Sequence, residues 1–148
     1  MSSSTLPDEV LNQVKNLQIE IDQLQSNIGA IEQQMTLIYR VINSLNDAIK
    51  TQSELKSKKP GDKILVPIGG SNLILCTIKD SQKTLMSLGS GITLQTEIEN
   101  SKNRNKSQIE NLENSIKQLQ EQHSQLSQKL NLQRRELLQI AQKYQILQ

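Results

Sequence analysis

Twelve apolar residues, at alternating steps of four and three, decide most of what this chain can fold into. They are Val10, Val14, Leu17, Ile21, Leu24, Ile28, Ile31, Met35, Ile38, Ile42, Leu45 and Ile49, and no polar residue interrupts the spacing. On an α-helix that rhythm puts all of them on one narrow stripe, the seam of a coiled coil. Gly29 lies inside the run and costs about 1 kcal/mol against Ala, which the seam on either side can tolerate. Thr5 is the expected N-cap, with Pro7 early in the first turn and Asp8 near the positive end of the helix. Lys56-Ser57-Lys58-Lys59 supply cations at the other end, and Pro60-Gly61 stops it.

A second helix is expected to begin near Thr96-Glu97. Its first turns are weakly patterned, because Lys102 and Asn105 fall where seam residues belong. From there Ile109, Leu112, Ile116, Leu119, His123, Leu126, Leu130, Gln133, Leu137, Ile140, Tyr144 and Leu147 keep the alternating spacing, and only His123 and Gln133 are polar. Each arm runs to about 45–50 residues, on the order of 70 Å at 1.5 Å per residue. Equal arms around a compact connector predict an antiparallel hairpin whose chain ends meet at one tip.

The connector is the only part that reads as β structure. Ile64-Leu65-Val66 and Leu73 to Ile78 flank Gly69-Gly70-Ser71-Asn72, while Thr84 to Leu88 and Ile92 to Gln95 flank Gly89-Ser90-Gly91. Small residues at those turns suit positive φ angles, so two consecutive β-hairpins are predicted. Four short strands form a marginal sheet in water. Leu73-Ile74-Leu75-Cys76-Thr77-Ile78 is apolar on both faces, and such strands need cover and edge partners. The expectation is assembly with the same segment of other chains; the plainer alternative is hairpins folded back on their own helices.

Composition supports long solvated helices rather than a globular core. Only 34% of the 148 residues are hydrophobic, with two Tyr and neither Phe nor Trp. The net charge of +2 comes from 17 basic and 15 acidic residues, interspersed. No nucleic-acid footprint is present, and no aromatic platform for bases. No apolar run approaches the roughly 18 residues of a membrane span. The opening Met-Ser-Ser-Ser-Thr lacks a signal peptide's apolar core, and the single Cys76 fits a reducing interior, so a cytoplasmic chain is expected.

Catalytic chemistry is not expected. One histidine builds neither a triad nor a multi-histidine metal cluster, and His123 in a seam is a register-setting residue. Gly89-Ser90-Gly91 lacks the Gly-Lys-Ser/Thr of a phosphate loop, and Cys76 reads as a small packed hydrophobe. No enzyme activity, cofactor or metal is predicted. Off-seam apolar residues gather modestly toward the chain ends: Leu6 and Leu11 on one side, Leu132, Leu138 and Ile146 on the other. Ile19, Leu37, Val41 and Leu55 are off-seam elsewhere. Scattered apolar residues need no function, but a patch at an uncovered tip would.

A helical arm, then LVPIGGSNLILCTIKDSQKTLMSLGSGITLQTEIE, then a second arm resembles the α-class subunit of prefoldin. Leu65-Val66-Pro67-Ile68 with its small-residue turn, Ile78-Lys79-Asp80 and Leu88-Gly89-Ser90-Gly91 carry the likeness across essentially the whole chain. Ile92-Thr93-Leu94 departs from it, because members often carry aromatics after the Gly-x-Gly turn. The resemblance implies a mainly α fold: an antiparallel coiled-coil hairpin of two long helices, joined by two β-hairpins that assemble into an oligomeric β-barrel. The implied segments are residues 1–7 as a flexible N-terminus, 8–59 as the first coiled-coil helix, 60–96 as the double β-hairpin and 97–148 as the second helix.

It further implies an ATP-independent holdase in which two α subunits join four β-class subunits. Coiled-coil tips would capture unfolded clients and deliver them to a group II chaperonin, with no nucleic acid or membrane as partner. Carried onto this chain, the oligomer interface would use Ile64, Val66, Ile68, Leu73, Leu75, Ile78, Leu85, Leu88, Ile92 and Leu94. Client contact would come from Leu6, Val10, Leu11, Val14, Leu138, Ile140, Tyr144, Ile146 and Leu147. Several of these are seam residues, so the tip must splay. The rival reading is a structural coiled-coil adaptor that docks one fixed partner through its β-hairpins.

Overall fold

A computed structural model describes residues 7–144. The elements in chain order are α1 (Asp8–Lys56), β1 (Lys63–Gly69), β2 (Asn72–Thr77), β3 (Lys83–Gly89), β4 (Ile92–Glu97) and α2 (Ile98–Lys143). They fall into two units. One joins the chain up to Ile38 with the chain from Asn114 onward, and the other is Tyr39–Glu113.

Along α1 the burial follows the heptad rhythm. All twelve seam residues from Val10 to Ile49 are buried or half-buried, and nearly every other position faces solvent. A stripe this narrow excludes water from one line of contacts and leaves the rest of the helix wet. In the first unit Ile21, Leu24 and Leu130 form a buried cluster, with Ile28, Leu126 and Leu137 against them. Polar contacts tie α1 to α2 beside it: Gln13 Nε2 donates to Glu136 Oε1 at 3.1 Å, and His123 Nε2 lies 3.0 Å from Glu32 Oε1. His123 thus sits in the seam half-buried, with a partner across the helix pair.

The amide of Leu11 donates to the carbonyl of Pro7 at 3.1 Å. Pro7 therefore stands at the N-cap, one step before the helix instead of within its first turn, and Thr5, the expected cap, lies outside the described residues. At its other end α1 closes at Lys56, before the expected Lys59. Ser57 and Lys58 donate back to the carbonyls of Glu54 and Leu55, tightening the last turn. Asp62 Oδ2 then accepts from the Lys59 amide at 2.8 Å, and Gly61 takes φ +96° to turn the chain into β1.

The second unit carries the two hairpins, each a separate two-stranded antiparallel sheet. Gly70-Ser71 and Ser90-Gly91 form the turns, with φ of 56° and 61° in the first and 50° and 77° in the second. Left-handed backbone at both central residues matches the right-handed twist of the strands. In each hairpin the register slips once before the turn, leaving Ile68 and Leu88 as the extra residues of two bulges. Gly69 and Gly89, at φ 98° and 92°, absorb the slip.

The hairpins are copies of one plan, offset by twenty residues along the chain. Lys63, Leu65, Gly69, Ile78 and Ser81 recur as Lys83, Leu85, Gly89, Ile98 and Ser101. Ile78 and Ile98 are both buried, as are Ser81 and Ser101. The Ile78 amide donates to the Asp62 carbonyl at 2.9 Å, and the Ile98 amide to the Gln82 carbonyl at 2.8 Å. Ile98, not Thr96 or Glu97, opens α2, because Thr96 and Glu97 are still paired with Thr84 and Lys83.

Beside the hairpins, beyond Ile49 on α1 and before Ile109 on α2, polar groups stand in place of the apolar seam. Gln52 Nε2 donates to Ser101 Oγ at 2.9 Å, and Asn105 Nδ2 reaches Gln52 Oε1. Lys102 and Asn105 thus do occupy inward positions, and both have polar partners there.

Candidate interaction surfaces

Strand alternation gives each hairpin two faces. On the half-buried face of the first stand Ile64, Val66 and Cys76, and on that of the second Thr84, Met86 and Thr96. The opposite faces are solvent-exposed and unlike. The first pairs Leu65 with Leu75 and Pro67 with Leu73, whereas the second pairs Leu85 with Gln95 and Ser87 with Thr93. Leu65 and Leu75 are 62% and 63% exposed, more than an isolated soluble hairpin should leave to water. A cleft of about 420 Å³ lies between the hairpins and the helix roots, floored by Leu55, Ile64, Ile78 and Ile98.

Of the residues expected at an oligomer interface, Ile68, Leu73, Leu75, Leu85, Leu88, Ile92 and Leu94 are exposed on the hairpins. Ile64 and Val66 are half-buried. Ile78 is an interior anchor, 7% exposed, so only its edge reaches the cleft. Leu65 and Ile74 also stand among the exposed apolar residues, although the sequence reading did not place them at the interface. The signal for Leu65 was available, since strand alternation sets it opposite Leu75.

An exposed cluster of charges stands where the second hairpin runs into α2. Glu99 Oε2 accepts from Lys56 Nζ at 2.9 Å, with Lys102 Nζ at 3.6 Å. The Lys56 hydrogen bond first, then the charge of Lys102, hold the Glu99 carboxyl below its ordinary range.

In the first unit, Val10, Val14, Ile140 and Tyr144 are half-buried, whereas Leu11 and Leu138 are exposed. Leu6, Ile146 and Leu147 lie outside the described residues. Leu17 and Ala141 are buried nearby, and the apolar pattern had not singled out Ala141. Its small side chain carries little weight in such a pattern, yet fits a close approach of two helices. Lys143 Nζ lies 5.5 Å from the Tyr144 ring centroid, within cation–π reach.

Among the described residues no group of His, Cys, Asp and Glu could hold a metal ion, and no helix is long and apolar enough to cross a membrane.

A family model described as "Prefoldin subunit" matches residues 17–143. The chain is 32% identical over 81 residues to a prefoldin subunit alpha of Methanococcoides burtonii, covering 55% of this chain and 59% of that protein. It is 24% identical over 130 residues to the prefoldin subunit alpha of Methanopyrus kandleri, covering 88% of this chain and 78% of that one. Among solved structures, a filamentous prefoldin from Methanocaldococcus jannaschii is similar in fold, with TM-score 0.56 and 22% identity, over 81% of this chain and 93% of that one.

Proposed function

Because this chain belongs to the prefoldin family, in its α class, we propose that it works as an ATP-independent holdase within a mixed oligomer. Two copies join four β-class subunits through their hairpins. The coiled-coil tips capture unfolded proteins, and clients pass to a group II chaperonin.

The observation that carries this reading is the exposed pair of hairpins. Among the described residues each two-stranded sheet leaves two edges without a neighbouring strand, and the first is apolar on both faces. Neighbouring strands on those edges satisfy the backbone and cover the apolar faces in one step, and closure into a barrel removes the edges altogether. Client holding then falls to the other unit, where Val10, Leu11, Val14, Leu138, Ile140 and Tyr144 offer apolar contact. Each tip binds weakly, and several tips on one client raise the effective affinity.

Native mass by light scattering tests the assembly. Mixing with a β-class prefoldin subunit is expected to yield a species holding two copies of this chain and four of the other. Removal of residues 1–11 and 138–148 should leave that species intact and abolish suppression of client aggregation. Unchanged suppression would overturn tip capture. A single stoichiometric partner without any protection of unfolded proteins would establish the adaptor instead.

A further inference from the structure

A polar side chain in a coiled-coil seam loses its water and must find partners across the interface. Asn105 finds Gln52, and His123 finds Glu32. Gln133 is different. It is buried, at 9% exposed, with Leu130 and Leu137 before and after it in the α2 seam. Its Nε2 donates to Glu20 Oε2, but its buried Oε1 meets no donor.

That unpaired carbonyl makes the helix pair unequal on its two sides. Among the described residues no other buried polar side-chain atom lacks a partner, and the packing immediately inward of Gln133 is Ile21, Leu24 and Leu130, all apolar and buried. Separation that starts at Asp8 and Lys143 must first break the contacts of Val10, Val14, Leu17, Ile140 and Tyr144, and lift Leu137 from the edge of the Ile21–Leu24–Leu130 packing. On reaching Gln133 it gives up the bond to the exposed Glu20 carboxylate but returns water to Oε1, which recovers part of the cost. Going further would break the Ile21–Leu24–Leu130 packing with no such return. Partial opening therefore has a natural stopping point.

We propose that Gln133, with Glu20, is a built-in stop at which the tip opens, so that residues 8–19 and 134–143 separate together. The opening would uncover seam residues beside Leu11 and Leu138, which already face solvent. Its use in capturing clients rests on the holdase reading above; the opening itself does not.

Hydrogen exchange on the full chain, assembled with a β-class subunit, tests this. In Gln133→Leu, amides of residues 10–19 and 134–143 are expected to exchange at least about tenfold more slowly, the effect of removing a buried unpaired polar group, with residues 21–31 unchanged. Adding Leu126→Gln to that variant should move the boundary inward, so that fast exchange extends to the Leu126 layer and ends there. Unchanged tip exchange in Gln133→Leu, or slowing spread evenly along both helices, would overturn the stop. Protection of denatured lysozyme from aggregation is read in parallel. A severalfold loss in Gln133→Leu supports use of the opening in capture. Slower tip exchange with undiminished protection would keep the stop and overturn its use in capture.

Discussion

The two hairpins share a backbone and differ in what they show to water. Both have a left-handed two-residue turn, a glycine at the bulge and a buried isoleucine at the exit. The fixed parts are those where backbone geometry or an interior contact leaves little choice. The free parts are the outer cross-strand pairs. There the first hairpin sets Leu65 against Leu75 and Pro67 against Leu73, whereas the second sets Leu85 against Gln95 and Ser87 against Thr93. Duplicated geometry thus does not mean duplicated demand for cover, and the first hairpin has the greater need of a partner.

A charge placed at matched positions of the two outer faces has the largest expected effect. Leu75→Asp should abolish the assembled species in light scattering, while Gln95→Asp, twenty residues on, should leave it largely intact. Equal loss from both would mean that the outer faces are used alike. Next in size come the anchors. Ile78→Ala and Ile98→Ala should each cost about 2–4 kcal/mol, read by urea unfolding, because each deletes a buried side chain with limited room to collapse. Similar costs would establish the two as equivalent; a cost under about 1 kcal/mol at either would not fit a buried anchor.

Smaller effects are expected at the turns. Ser71 and Ser90 hold positive φ without being glycine. Ser71→Gly, giving Gly-Gly, and Ser90→Asn, giving Asn-Gly, should each raise stability by up to about 0.5 kcal/mol in thermal unfolding. The smallest effect separates the hairpin exits by charge. After Ile98 comes Glu99, paired with Lys56 and Lys102, while after Ile78 the same place holds Lys79. The Glu99 carboxyl is held below its ordinary range, so its contribution is present above that range and is lost as pH falls through the lowered value. Glu99→Gln should flatten that acid limb of the stability curve, and no change in the limb would remove the pair from the account.

The arms were legible because their physics is periodic. One face, repeated from Val10 to Ile49, announces itself without any knowledge of the partner helix. The hairpin turns were legible for a similar reason, since Gly and Ser cluster where φ must be positive. Three things were less visible. The twenty-residue repeat hides behind few identities, because Val66 and Met86, or Cys76 and Thr96, serve alike as half-buried strand residues. The cap at Pro7 and the closure at Lys56 depend on individual backbone bonds that composition does not specify. Gln133 read as one polar exception among two, and only its burial and its unpaired oxygen distinguish it from His123. Tip residues are harder still, because a seam residue and a capture residue have the same apolar chemistry.

The pairing of distant segments also bears on how this chain is made. Gln13 meets Glu136 across 123 residues of sequence, whereas each hairpin closes within a span shorter than one helix. During synthesis α1 is finished long before the residues that cover its seam exist. At about 5–20 residues per second, the roughly 90 residues between Lys56 and Lys143 take on the order of 5–20 s. Until α2 follows, the twelve apolar side chains along one face of α1 have no partner helix, and those nearest Val10 wait longest. On the holdase reading, a subunit that shields other unfolded chains passes through its own period of exposure on the ribosome.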